Sequence, residues 1–161
     1  MFESTERLAE DIQALLDSIR ELAGGRYAAV FEPKGLVFES AEPGGEEPWV
    51  LRHYLERRTG PLFRIPAALA EGTEIEDVFA DWTRRAGEEE DEFLLAFLNG
   101  RVVLVVACRD AEGLKSRIEP PLHVLADRLL RYNSAWRVDE KGRGLFVGRP
   151  RLDLVVVGRP Q

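Results

Sequence analysis

Apolar side chains recur every three or four residues near the start of the chain, which is the spacing of a single helix face. Ser4 or Thr5 can cap the start of this segment, acidic residues favour the same end, and Gly24-Gly25 ends it. The apolar stripe comprises Leu8, Ile12, Leu15, Leu16, Ile19 and Leu22. The pattern predicts an amphipathic helix with one face packed on the rest of the domain.

Two stretches with strand-like apolar runs on either side of turn residues predict β-hairpins. In residues 26–40, Pro33 pre-sets a turn that Gly35 completes. In residues 93–108, Asn99-Gly100 separates two apolar runs, which is the strongest short-range hairpin signal. Because both arms of the second hairpin are almost continuously apolar, we place them at the centre of the sheet.

The segment between the hairpins predicts helices with a connector. Pro48 suits the first turn of a helix over 49–58, which Gly60-Pro61 breaks. Residues 62–65 fit a short strand or an extended connector. A capping box at Thr73 and Glu76 predicts a second helix that ends at Gly87.

After the second hairpin the pattern predicts a helical turn over 114–119 and a helix that Pro120-Pro121 opens. Leu122, Leu125 and Leu129 face inward in that helix. Two strand-like runs, 144–148 and 152–157, follow in the tail.

The order of these elements predicts an α+β fold, in which a central antiparallel sheet built from hairpins carries helices on its faces. The 161 residues suit one domain. We assign residues 1–136 to a single α/β domain and 137–161 to a C-terminal strand pair that packs on it or extends it.

Charge is unevenly distributed along the chain, which carries a formal net charge of −7. Residues 1–100 hold 22 acidic and 10 basic side chains, and 101–161 hold 7 acidic and 12 basic ones. An acidic chain repels phosphates, so we expect no nucleic-acid partner. The basic tail could dock an acidic partner, but we favour a role in keeping an edge hairpin soluble. Its charges are Arg137, Lys141, Arg143, Arg149, Arg151 and Arg159.

Compartment and membrane signals point to a cytoplasmic protein. The longest apolar run, 102–108, is much shorter than the roughly 20 residues of a membrane span, and the start of the chain does not resemble a secretory signal. The single cysteine, Cys108, lies inside that run, where a buried and inert thiol is expected.

No motif of catalysis or ligand binding is present. Phosphate-binding loops, dinucleotide fingerprints and nucleophile elbows are absent from the sequence, and neither His53 nor His123 has a second ligand at metal-binding spacing. The acidic run 88–92 lacks the alternation of a calcium loop. Glu39 and Glu46-Glu47 could act as an acid–base pair, but nothing singles them out. We therefore expect no enzyme, cofactor or metal.

Aromatic residues give a weak signal for a binding surface, because Trp and Tyr are enriched at interfaces. Trp49 and Tyr54 belong to one short predicted helix that also carries Arg52, His53 and Arg57. For Trp49 a binding role and a core role are equally favoured. For Trp82 we favour the core.

The first hairpin, Tyr27 to Ser40, resembles that of Roadblock-type domains, in which an acidic residue, two variable positions, Gly and Leu join two apolar strands. The order of elements is similar over residues 5–134. The extra segment 60–87 and the strands after Leu145 depart from the family pattern. The resemblance implies a dimeric scaffold that binds and regulates small GTPases.

The same order is also similar to GAF-type sensor domains, in which a loop-rich region covers a ligand pocket. This alternative predicts a small-molecule pocket under residues 60–87, lined by Phe63, Phe79 and Trp82. Neither family supplies a motif from which ligand residues can be transferred.

The expectation that these patterns favour is a non-catalytic regulatory or scaffolding domain that forms a homodimer and acts through protein contacts, with a small GTPase as the partner. The expected contact residues are Trp49, Arg52, His53, Tyr54 and Arg57. A GAF-like sensor is the alternative.

Overall fold

A computed structural model of the chain describes residues 4–42, 52, 55–57, 59–72, 92–139, 142 and 150–157. These residues form one five-stranded antiparallel sheet with helices packed against it, which confirms the predicted α+β class. The strands are β1 (Tyr27–Glu32), β2 (Gly35–Ala41), β3 (Glu92–Leu98), β4 (Val102–Cys108) and β5 (Leu152–Val157). The helices are α1 (Thr5–Leu22), α2 (Thr59–Ala70), α3 (Ala111–Arg117) and α4 (Glu119–Tyr132), and a 3-10 turn spans Ser134–Arg137.

Helix α1 begins and ends where the sequence predicts. The Ser4 hydroxyl accepts a hydrogen bond from the Arg7 amide at 3.1 Å, which satisfies one of the free donors of the first turn. At the other end, Gly24 takes φ +113° and the Gly25 amide donates to the Arg20 carbonyl at 2.8 Å. The chain can therefore turn directly into β1.

Both predicted hairpins are present, and they occupy four of the five positions in the strand order β2-β1-β4-β3-β5. In the turn between β3 and β4, Asn99 has φ 54° and Gly100 has φ 68°, the two positive values that a type I′ turn needs. Strand β4 pairs with β1 on one side and β3 on the other, so it lies at the centre of the sheet as predicted.

Two separate cores result from the alternation of side chains along the strands. On the first face of the sheet, residues such as Val30 and Leu104 pack under α1, α3 and α4. On the second face, residues such as Phe31 and Val105 pack under Leu55 and α2. Helices thus cover both faces, which explains why the central strand β4 is apolar at every position.

The segment 62–65 is helical, so its prediction as a strand or extended connector is wrong. Pro61 lies in the first turn of α2, where its missing N–H is harmless, but Pro66 lies inside the helix. Pro66 cannot donate to the carbonyl four residues earlier, which costs helix stability. Burial of Leu62 and Ile65 against the second face offsets that cost. Arg52, Leu55 and Glu56 are also helical, as predicted.

The C-terminal part partly follows the prediction. A full helix, α3, replaces the expected turn over 114–119, and the Asp110 side chain caps it by accepting from the Gly113 amide. Strand β5 pairs with β3, which adds it to the same sheet as an edge strand. The predicted helix over 73–87 and the predicted strand over 144–148 lie outside the described residues.

Candidate interaction surface

A bidentate ion pair ties β2 to the helical residues on the second face. Arg52 donates to both carboxylate oxygens of Glu39, from Nε and from Nη2, at 2.6 Å each. The hydroxyl of Tyr27 donates to the same carboxylate at 2.7 Å. The Glu39 side chain is 19% exposed and that of Arg52 is 39% exposed, so the pair lies at the rim of the second core. Planar, two-pronged pairing of this kind holds the geometry as well as the charge.

The same contacts shift two pKa values. Burial raises the pKa of Tyr27, and its hydrogen bond to the Glu39 carboxylate raises it further. The hydrogen bonds to Glu39 raise the pKa of Arg52. Both shifts favour the forms present at neutral pH, a neutral phenol and a charged guanidinium. The hydrogen bonds among Tyr27, Glu39 and Arg52 therefore hold β1, β2 and the second-face layer together.

On the first face, the next residue of β2 makes a second polar tie. The Ser40 hydroxyl donates to Asp17 Oδ1 at 2.5 Å and accepts from Arg20 Nε at 2.7 Å. Gln13 donates to the Glu39 carbonyl at 2.9 Å. Ser40 and Arg20 are buried, so this network attaches α1 to β2 and gives no substrate access to the Ser40 hydroxyl.

Helix α2 differs from the other long helices in its charge content. It carries one charged residue, Arg64, in 12 positions, whereas α1 carries seven in 18 and α4 carries four in 14. Ala67, Leu69 and Ala70 are exposed on it, and Leu69 is one of three large hydrophobic residues exposed in the described part of the chain, at 37%. A helix this apolar normally has both sides covered.

The outer sides of α1 and α4 provide the comparison. Their exposed positions include many charged residues, and on α4 Asp127 pairs with both Arg128 and Arg131. The exposed charges of α1 are Glu6, Arg7, Glu10, Asp11 and Glu21. These are the solvated faces expected of helices that contact water.

Of the residues predicted to bind a partner, two fall within the described part of the chain. Arg52 lies at the edge of the second-face layer and is committed to Glu39, while Arg57 is exposed two residues before α2. Trp49, His53 and Tyr54 lie outside the described residues. The layer that holds Arg52 and Arg57 thus also contains α2.

The residues of the alternative ligand pocket are only partly described. Phe63 is half-buried on α2 and meets Phe97 of β3 edge to face, with ring centroids 6.2 Å apart. Phe79 and Trp82 lie outside the described residues. In the described part of the 60–87 segment, Leu62 and Ile65 pack directly on the sheet.

The remaining candidates have structural roles. Trp136 is buried in the first core and donates from Nε1 to Glu32 at 3.3 Å. Cys108 is buried, as predicted, and His123 is exposed on α4. Among the described residues no group of three or more His, Cys, Asp or Glu side chains could hold a metal ion.

Sequence reasoning missed the surface of α2 because Pro66 argued against a helix there. The signal was nevertheless available. Residues 59–70 contain a single charge, and Leu62, Ile65 and Leu69 follow helical spacing. The pairing of Glu39 with Arg52 left no signal, since the two residues lie on different elements 13 positions apart.

Comparisons with protein-family models, curated proteins and solved structures found no match to this chain. Within the described residues, no helix is both long and apolar enough to cross a membrane. The fold defines the class, an α+β protein with a five-stranded antiparallel sheet between two helical layers.

Proposed function

We propose that this chain is a non-catalytic regulatory or scaffolding domain that works in the cytoplasm through protein–protein contacts. It acts as a homodimer, and a small GTPase is its partner. The contact surface is the second-face layer, defined as Arg52, residues 55–57 and residues 59–72. Helix α2 carries the proposal, because a helix that has one charge in 12 positions and exposes Ala67, Leu69 and Ala70 is typical of an interface.

The arrangement around Arg52 supports this assignment. The ion pair with Glu39 holds the Arg52 side chain against β2, so this side chain is positioned before any partner arrives. A preorganised surface loses less conformational entropy on binding. Arg57, which is exposed two residues before α2, supplies a charge to the same surface.

The choice of partner class comes from the Roadblock resemblance. In support, the described elements follow the order helix, two strands, helix, two strands and two helices over residues 5–132. The chain departs from the family pattern in β5, which follows the last helix and pairs with β3.

The experiment is a binding titration against small GTPases from the same genome, each loaded with GDP or with a non-hydrolysable GTP analogue. We expect at least one to bind with a Kd of about 10 μM or tighter. Arg57→Glu should weaken that binding, and Arg109→Glu, a reversal at an exposed arginine outside residues 52–72, should not. Failure of every GTPase to bind, or equal effects of the two variants, would contradict the proposal.

A thermal-shift screen with nucleotides and common metabolites separates this function from a GAF-like sensor. A scaffold should show no stabilisation by small molecules. A ligand at 100 times its Kd would stabilise a sensor by about 2.7 kcal/mol, and such a result would replace the scaffold proposal.

A further inference from the structure

We infer that Asn99 is a site of spontaneous deamidation that the fold controls. The residue keeps its carboxamide in the folded chain and loses it in chains whose β3–β4 turn has opened. The inference goes beyond the proposed function and does not depend on it, because it concerns this turn and not the second-face layer.

The sequence at the turn has the chemistry for the reaction. Asparagine is thermolabile, and Asn99 precedes Gly100, which has no side chain to hinder approach to its backbone nitrogen. That nitrogen loses its proton and attacks the Asn99 Cγ atom. The new N–C bond closes a succinimide ring, and the side-chain nitrogen leaves as ammonia. Water then opens the ring at either carbonyl, which gives aspartate or the β-linked isoaspartate.

The folded chain withholds the Asn99 carboxamide from this reaction. Asn99 is 1% exposed, so water has little access to it. Its Nδ2 donates to the Trp136 carbonyl at 2.8 Å, and its Oδ1 accepts from the Arg151 amide at 2.7 Å. Both partners are backbone groups of other segments, so they fix the plane of the carboxamide. Turning Cγ toward the Gly100 nitrogen would break two buried hydrogen bonds.

The backbone of the turn is held as well. The Asn99 amide donates to the Arg151 carbonyl at 2.8 Å, and the Arg101 amide donates to the Leu98 carbonyl at 2.9 Å. The reaction therefore requires the turn to separate from the start of β5 and from the segment of Trp136. Such a separation is a local opening of the fold, which is rarer than the rotation of an exposed side chain.

Neither product fits the place of the asparagine. Aspartate lacks the Nδ2 donor, so it sets a carboxylate oxygen against the Trp136 carbonyl. Isoaspartate carries the main chain through the side chain, which lengthens the backbone of a turn whose central residues hold φ 54° and 68°. Both products therefore favour the open state, and a chain that deamidates while open is less able to close again.

Asn133, the other asparagine in the chain, is an internal control. It precedes Ser134, and its Oδ1 accepts from the Ala135 amide at 3.0 Å. Since this partner lies two residues away, the contact does not depend on distant segments. Protection at Asn133 should therefore be weaker than at Asn99.

Mass spectrometry of proteolytic peptides measures both sites in one sample. The chain is incubated near neutral pH, either folded in buffer or unfolded in guanidinium chloride. We expect folding to slow deamidation of Asn99 at least about 100-fold, because the rate follows the fraction of open turns. Asn133 should be slowed by no more than about tenfold. Equal slowing at the two sites, or an Asn99 that reacts equally fast in both states, would overturn the inference.

Pulse proteolysis tests whether the product favours the open state. A partly deamidated sample is refolded and brought to the urea midpoint of the native chain. Chains that resist the protease should be depleted at least about 20-fold in deamidated residue 99. Aspartate formed at Asn133 should be depleted less than about threefold, since it is an equally good cap for Ala135. No depletion at residue 99 would overturn the inference.

Discussion

Glu39 and Arg52 are joined by two parallel hydrogen bonds of 2.6 Å, and this pair fastens the edge strand β2 to the helical layer on the second face. Glu39 also accepts from the buried Tyr27 hydroxyl, so one carboxylate satisfies three donors from two other elements. The arrangement places Glu39 at the centre of the tie and Arg52 at its outer end.

This difference in position predicts that Glu39→Ala and Arg52→Ala lower the free energy of unfolding by unequal amounts. Glu39→Ala removes the acceptor of a buried phenol, so we expect a loss of about 2 kcal/mol in the free energy of unfolding. Arg52→Ala leaves the Tyr27 hydrogen bond intact and removes a pair whose arginine is partly exposed, so we expect about 1 kcal/mol. Urea denaturation of both variants measures the two losses.

Arg7→Ala is the control for the loss of an exposed arginine and should change stability by less than about 0.5 kcal/mol. A larger loss from Arg52→Ala than from Glu39→Ala would contradict the central position of Glu39.

The raised pKa of Tyr27 predicts a loss of stability in alkali. In the folded state Tyr27 holds its proton well above pH 10, the ordinary pKa of tyrosine, because the phenol is buried and bonded to a carboxylate. Its contribution is therefore complete below about pH 10 and declines as the pH rises above that value, where the unfolded chain ionises first. Tyr27→Phe should unfold with a shallower decline between about pH 10 and pH 11.5. An identical slope in both proteins would contradict the buried hydrogen bond between Tyr27 and Glu39.

Asn99 is a second residue on which distant parts of the chain depend. It is buried, donates from Nδ2 to the Trp136 carbonyl at 2.8 Å, and accepts from the Arg151 amide through Oδ1 at 2.7 Å. Asn99→Asp keeps the acceptor and the tolerance of positive φ, but sets a carboxylate against a carbonyl oxygen. We expect a loss of about 3 kcal/mol at pH 7.

Hydrogen exchange would locate that loss of stability. The amides of Asn99 and Arg151 form the hydrogen bonds between the turn and the start of β5, and both should exchange faster in the variant. The loss should be smaller near pH 4 (about the pKa of an ordinary Asp), because a protonated carboxyl regains a donor. Asn99→Asp with unchanged stability would show that the contact with Trp136 is dispensable.

The elements that the sequence predicted well are those with local signals. The cap at Ser4 and the positive φ values at Asn99-Gly100 depend on residues adjacent in the chain, so their types carry the information. The central position of β4 also followed, because a strand buried on both faces must be apolar throughout.

The features that sequence reasoning missed depend on tertiary contacts. Pro66 disfavours a helix at the position of α2, but burial of Leu62 and Ile65 on the sheet outweighs this local preference. The pairing of β5 with β3 could not be predicted for a similar reason. The periodicity of a strand shows which side chains share a face of the sheet, but it does not show which strand lies next to it. Of the candidate contact surface, the sequence indicated Arg52 and Arg57 but not the apolar helix that follows them.

Two leucines that lie seven residues apart on the same side of α2 differ in burial. Leu62 is fully buried in the second core, so Leu62→Ala should cost between about 2 and 5 kcal/mol in unfolding free energy. Leu69, seven residues later, is 37% exposed, so Leu69→Ala should cost less than about 1 kcal/mol. Chemical denaturation of the pair at a low, fixed protein concentration makes the comparison. Equal losses would mean that α2 lies on the sheet differently.

The central claim is that the chain is a homodimer whose contact surface is the second-face layer, and sedimentation equilibrium of three proteins tests it most directly. Over about 0.1 to 100 μM, we expect the native chain and Ala14→Glu to approach twice the 18.2 kDa monomer mass. Ala67→Glu, which places a charge at an exposed position of α2 within that surface, should remain at the monomer mass while staying folded. A native chain that is monomeric throughout, or an Ala67→Glu variant that dimerises as tightly as Ala14→Glu, would contradict the account.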